Sequence, residues 1–207
     1  ALLWVAHGMS QQSERKRIRR SESARAALES FRAQDPAPAS YPSQIEVFLH
    51  PRCNADCLFC ERGRLSRAGG PARAFEGLAS KVLDELAPHV QRLHWTDRGE
   101  PLMSTPFVRW LSESDDLPRV RIQTNGFLLR SRMHDLLASE AQLEVHVSLH
   151  AATSEMHSLL TGSAPDTFNE IVDTLKTVVR RRSEEGLPIK LGLLFVVQKV
   201  NVHQIAD

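Results

Sequence analysis

Ile45-Glu46-Val47-Phe48-Leu49-His50-Pro51-Arg52-Cys53-Asn54-Ala55-Asp56-Cys57-Leu58-Phe59-Cys60 begins as an apolar, strand-like segment and ends in three cysteines spaced C-x3-C-x2-C. These are the chain's only cysteines. A disulfide framework normally uses an even number spread along the sequence. Three thiols on one short loop instead suit a metal centre in a reducing compartment, which points to a cytoplasmic protein. Two centres fit the spacing better than three ordinary buried thiols do. Soft thiolates can wrap three corners of an iron–sulfur cube, leaving one iron without a protein thiolate and open to a small chelating ligand. A structural zinc site would need a fourth ligand, for which His50, His94 or His150 is available.

Outward from this loop, strand-like and helical runs alternate. Ile45–Leu49 reads as the first strand. Leu78–His89 follows as a helix, with Leu78, Val82, Leu83 and Leu86 at helical spacing on one face. Arg92–Thr96, Val120–Thr124, Glu144–Leu149 and Lys190–Val197 read as four further strands. Helices are expected over Pro106–Ser112, Met133–Ser139 and Thr167–Arg182, the last with Ile171, Leu175, Val178 and Val179 as its buried stripe. Strands separated by helices imply parallel βαβ units with right-handed crossovers.

The chain has 207 residues, suited to one domain with a short extension. Hydrophobic content of 42% is enough to bury a core, and a net charge of +1 singles out no partner. The opening run Ala1–Ala6 is apolar but far shorter than the roughly 20 residues of a membrane span. Residues 10–34 read as a polar helix whose first half is basic (Arg15, Lys16, Arg17, Arg19, Arg20, Arg25), and prolines 36, 38 and 42 mark an extended linker. Residues 1–42 are therefore expected to be an extension and 43–207 the core. A start at Ala1 and a helix just beginning at Asn201–Asp207 suggest a fragment.

Each expected strand runs into an unusual segment. In order these are Cys53–Cys60, Asp97-Arg98-Gly99-Glu100-Pro101, Thr124-Asn125-Gly126, Ser148-Leu149-His150, and Gln198 with Asn201. In parallel β/α barrels reactive groups gather at the carboxyl ends of the strands. Five such segments on parallel neighbours would share one rim and form a site.

Here the sequence resembles a known family. C-x3-C-x2-C with an aromatic residue before the last cysteine, Phe59 here, is similar to the signature of radical S-adenosylmethionine (SAM) enzymes. Gly99-Glu100-Pro101 resembles that family's Gly-Glu-Pro element, with Arg98 where a preceding Gly is common. Thr124-Asn125-Gly126 and Val147-Ser148-Leu149-His150 resemble its third- and fourth-strand endings, His150 standing where many members have Asp. The stretch Ala151–Gly162 resembles the helix-start segment after that strand. The likeness covers about residues 43–207.

The resemblance implies a partial (β/α)6 TIM-like barrel, truncated here before its sixth strand. It implies that Cys53, Cys57 and Cys60 ligate a [4Fe–4S] cluster whose open iron chelates SAM. One electron then cleaves SAM to a 5′-deoxyadenosyl radical that abstracts a substrate hydrogen. Phe59, Gly99, Glu100, Asn125 and Ser148 are the implied cofactor-binding residues, with Glu100 offering a carboxylate to the SAM ammonium. Phe195, Val196 and Val197 would pack against adenine, and Asn201 is similar to a common polar position beyond them. No protein base is assigned, because the adenosyl radical carries the hard step. Implied partners are a reductant such as flavodoxin or ferredoxin and a peptide or small-molecule substrate, with auxiliary clusters further along the chain in many members. Gly-Glu-Pro-Leu and Ser-Leu-His-Ala also resemble an RNA-methylating branch, which the basic helix would suit. That branch needs further cysteines, so RNA is not favoured. A non-enzymatic zinc-binding module is the alternative from another class.

Overall fold

The computed structural model describes residues 22, 24–34, 40–48, 52–60, 72–96, 99–115 and 117–205. The basic run at 15–20, most of the proline-rich linker, His50 and the pair Asp97-Arg98 lie outside the described residues. Residues 24–32 are helical, as the polar pattern predicts.

Five strands form one sheet: β1 (Gln44–Val47), β2 (Arg92–Trp95), β3 (Arg119–Thr124), β4 (Leu143–Ser148) and β5 (Ile189–Leu194). Their order is sequential and every pairing is parallel. Between them run α1 (Ala72–Glu85), α2 (Thr105–Glu113), α3 (Leu129–Ala138), α4 (Ser154–Thr161) and α5 (Thr167–Glu185). Each helix packs on a neighbour: α1 on α2, α2 on α3, α3 on α5, and α5 on α4. Sequential strand order with a continuous helical layer is the arrangement of a β/α barrel wall, since right-handed crossovers place every helix on the same side.

Alternation along the strands explains this layering. Leu93 and Trp95, Val120 and Ile122, and Leu143, Val145 and Val147 face the helices and are buried. The residues between them are polar or charged: His94, Arg121, Gln123, Glu144 and His146. A period of two sends these to the opposite face. Trp95 stacks on Phe107 of α2 with ring centroids 4.1 Å apart, and Leu83, Leu111, Leu129 and Ile171 close the core.

Three expectations need correction. The buried face of α1 runs through Ala79 and Leu83, whereas Leu78 and Leu86 are exposed. On α5 the buried residues are Ile171, Thr174 and Val178, and Val179 faces outward. The fifth strand stops at Leu194, so Phe195–Val197 are not strand, and Val196 and Val197 are exposed. Helical spacing identifies an apolar stripe but does not say which edge of it meets the neighbouring helix. Helix α4 is a short element that apolar periodicity alone does not reveal. Thr153 caps it by accepting from the Met156 N–H at 3.3 Å, and Gly162 ends it at φ +68°.

Candidate active site

The cysteine loop follows β1 and has no regular secondary structure, so other elements must hold it. The Arg52 carbonyl accepts from the Glu100 N–H at 2.8 Å. The Asp56 and Leu58 N–H groups donate to the carbonyls of Thr161 (2.8 Å) and Leu160 (2.9 Å) at the end of α4. Those carbonyls belong to the last turn of a helix and have no partner within it. The loop supplies the missing donors. Gly162 allows the approach: a Cβ there would stand 3.1 Å from the Asp56 Cβ, on a backbone already left-handed. A turn from Cys60 N–H to Cys57 carbonyl (3.1 Å) then closes the loop on itself.

All three cysteines are free thiols of intermediate exposure. Burial pushes the Cys53 thiol up from its ordinary range, with the Glu100 charge adding to it. Burial, followed by the charges of Cys53 and Cys60, pushes Cys57 up to about 12. Three thiolates so placed repel one another, and a bound cationic metal reverses that balance. Among the described residues, no three His, Cys, Asp or Glu side chains converge as ligands of one ion. Soft thiolates on one loop suit the separate metal corners of a cube. The donor set fits a cluster.

Asn125, at the end of β3, reaches this loop. Its Nδ2 donates to Asn54 Oδ1 at 2.7 Å and approaches Cys53 Sγ at 3.6 Å. Its Oδ1 accepts from the Phe127 N–H at 3.0 Å, which fixes the amide. An amide so placed would tune the potential of a cluster held by that sulfur. Ser148 ends β4, one step beyond the Thr124–Val147 pair, and is half-buried. Gly99 sits half-buried in the loop after β2. Phe59 meets His150 edge-on, with ring centroids 4.9 Å apart.

Glu100 lies where the second and third strand ends meet. Its side chain is 1% exposed. Oε1 accepts from the Leu102 N–H (3.1 Å) and from the Thr124 hydroxyl (2.5 Å), and Oε2 accepts from the Asn125 N–H (2.8 Å). The carboxylate ties the second strand-end loop to the third. The sequence could not show these partners, because Thr124 and Asn125 lie far from Glu100 along the chain.

His150 is likewise a tie. It is buried, adopts φ +58°, and its Nδ1 accepts from the Val196 N–H at 3.0 Å. Asn201, fully buried, donates through Nδ2 to the carbonyls of His150 and Val196, both at 2.9 Å. These bonds hold the segment after β5 against the end of β4. Burial, with a smaller contribution from His157, lowers the His150 pKa from 6.5 to about 4. The folded value lies below the unfolded one, so the stabilisation is present above about 6.5 and is lost as pH falls toward 4. Protonation at Nδ1 also breaks the bond from Val196. Urea unfolding should show about 2 kcal/mol lost between pH 7.5 and 5, and a smaller loss in His150→Asn. Equal losses in both proteins would mean that another group titrates.

The Radical SAM superfamily model matches residues 47–207. A probable GTP 3′,8-cyclase of Methanosarcina mazei is 27% identical over 167 residues, covering 79% of this chain and 48% of that protein. Its counterpart in Methanosarcina acetivorans is 28% identical over 170 residues, covering 78% and 48%. The chain thus spans about half the length of the curated relatives it matches. Among solved structures, Streptococcus suis SuiB bound to S-adenosylmethionine aligns at 20% identity and TM-score 0.49, covering 86% of this chain and 46% of that one. The family match sets aside the zinc-module reading: the chain belongs to the radical SAM superfamily, whose enzymes use a [4Fe–4S] cluster and S-adenosylmethionine.

Proposed function

We propose that residues 43–207 are the core of a cytoplasmic radical SAM enzyme that acts on a small molecule, with residues 1–42 as an extension. Cys53, Cys57 and Cys60 are its cluster ligands. Phe59, Gly99, Asn125 and Ser148 line the SAM side of the site, and Glu100 contributes by shaping the loops there. When bound, cluster and SAM supply a 5′-deoxyadenosyl radical that removes a hydrogen atom from substrate.

The chain's own residues do the positioning. Thr161 and Leu160 hold the cysteine loop, Glu100 holds the β2 and β3 ends together, and Asn125 presents its amide to Cys53. His150 and Asn201 keep the segment after β5 in place. The reading rests above all on the Asn125 amide reaching Cys53 Sγ, which joins two strand-end motifs distant in sequence. The relatives named as GTP 3′,8-cyclases favour a small-molecule substrate over a peptide. A low-potential donor such as flavodoxin or ferredoxin would supply the electron. No helix among the described residues is long and apolar enough to cross a membrane.

Anaerobic reconstitution with iron and sulfide tests the reading. About four irons and four sulfides per chain are expected, with 5′-deoxyadenosine released on adding SAM and a strong reductant. Uptake of a single zinc with no sulfide would sink the proposal.

A further inference from the structure

On the sheet face turned away from the helices, each strand contributes one ionisable side chain to a single row. Glu46, His94, Arg121, Glu144 and Lys190 are Cα partners of one another, strand to strand, from β1 to β5. Barrel interiors are ordinarily filled with layers of Val, Ile and Leu. A row of charge replaces one such layer here, at a cost in packing that asks for a use.

Most of these charges are matched. Glu46 lies 3.3 Å from His94 Nδ1 and accepts from the Thr96 hydroxyl at 3.5 Å. Glu144, the register partner of Arg121, reaches Arg119 instead at 4.0 Å. Lys190 stands exposed at the edge. Arg121 is the exception. Among the described residues it has no ion pair, and its Nη2 lies 3.0 Å from His146 Nδ1. Its Nε is buried and has no hydrogen-bond partner, and neither has the buried His94 Nε2 beside it. After burial itself, the Arg121 charge is the next cause lowering the pKa of both His94 and His146. A positive charge beside an imidazole disfavours its protonated form. Opposite His146 stands Gly192, where a Cβ would come within 3.3 Å of the ring Nε2. Glycine leaves that edge of the imidazole open.

We propose that Arg121 anchors an oxyanion of the substrate, a carboxylate or a phosphate, with His146 donating through Nε2 and His94 donating through Nε2 once protonated. A guanidinium fork matches the two oxygens of such a group. The role as a substrate subsite rests on the radical SAM reading; the anion site itself does not. His146 precedes Ser148 by two residues and Arg121 precedes Asn125 by four. At the strand rise, the anchor lies roughly 7–13 Å below the layer assigned to SAM. The substrate therefore carries its anionic group well away from the carbon that loses hydrogen.

Titration of the full chain with sodium phosphate, and separately with sodium acetate, tests the site at constant ionic strength. Calorimetry reads the affinity, and proton NMR reads the histidine C2–H signals. Saturable binding is expected, with two histidine pKa values rising as the anion neutralises Arg121. In Arg121→Gln those pKa values should already be high, and affinity should fall roughly tenfold to a hundredfold. Arg121→Lys, which keeps the charge without the fork, should give a smaller loss and low histidine pKa values. The surface variant Arg130→Gln should behave as wild type. Tighter phosphate binding assigns a phosphorylated substrate, and tighter acetate binding a carboxylate. Equal affinity in wild type, Arg121→Gln and Arg121→Lys overturns the site, even if the cluster forms. Arg121-dependent binding in a chain that takes up no cluster would instead leave the site standing and sink the radical SAM reading.

Discussion

Replacing Cys57 with alanine is expected to abolish stable cluster uptake and reduce 5′-deoxyadenosine release to background. Cys57 is the middle thiol of the loop, and burial with two neighbouring thiols pushes its pKa up to about 12. Two remaining thiols cannot hold three corners of a cube. The loss of a partner behind a metal ligand typically costs about 10–100-fold in affinity, and the loss of the ligand itself costs more. The readout is iron and sulfide content together with the visible cluster absorbance, before any turnover assay. The fold should survive, because the loop is anchored through the backbone of Asp56 and Leu58 rather than through the thiols. A Cys57→Ala protein that keeps full iron, sulfide and SAM cleavage would refute the assignment of the ligands. Asn125→Ala should retain a cluster with a shifted reduction potential, since the three thiols stay while the donor near Cys53 Sγ is lost together with the bonds to Asn54 and Phe127.

Glu100→Ala should produce the largest loss of stability, about 3–5 kcal/mol. The substitution leaves the Leu102 and Asn125 N–H groups and the Thr124 hydroxyl without their acceptor in a place water barely reaches. Each unsatisfied buried donor costs about 1–3 kcal/mol, and partial relaxation keeps the sum below the full total. Marginal stability makes this a large fraction of the whole. Glu100→Gln should be milder, because one amide oxygen still accepts while the new NH2 faces another donor. Urea unfolding followed by circular dichroism measures both. If Glu100→Ala unfolds at the wild-type midpoint, the carboxylate does not tie the loops. Because Glu100 positions Asn125, the milder variant should also lower cluster retention at temperatures where the fold is intact.

What sequence could determine here was local and periodic. Alternation of apolar and polar residues in Arg119–Thr124 and Leu143–Ser148 is enough to identify strands, because a period of two leaves one face to bury. Three thiols within eight residues, with a Gly-Glu-Pro, a Thr-Asn-Gly and a Ser-Leu-His in order behind them, carry the resemblance that implies the chemistry, and strand ends of a parallel β/α wall share one rim, which makes them one site. The same logic stops at partners far apart in the chain. Glu100 faces inward because Thr124 and Asn125 wait there, His150 takes a left-handed backbone because Val196 and Asn201 bind it, and the cysteine loop hangs from Thr161. Arg121 reads as one more alternating polar residue until the register sets it between His94 and Glu144, with the Glu144 carboxylate turned to Arg119 and the Arg121 guanidinium against His146. Hydrogen bonds and uncompensated charge depend on which atoms meet in space, and only the packed sheet and helices decide that.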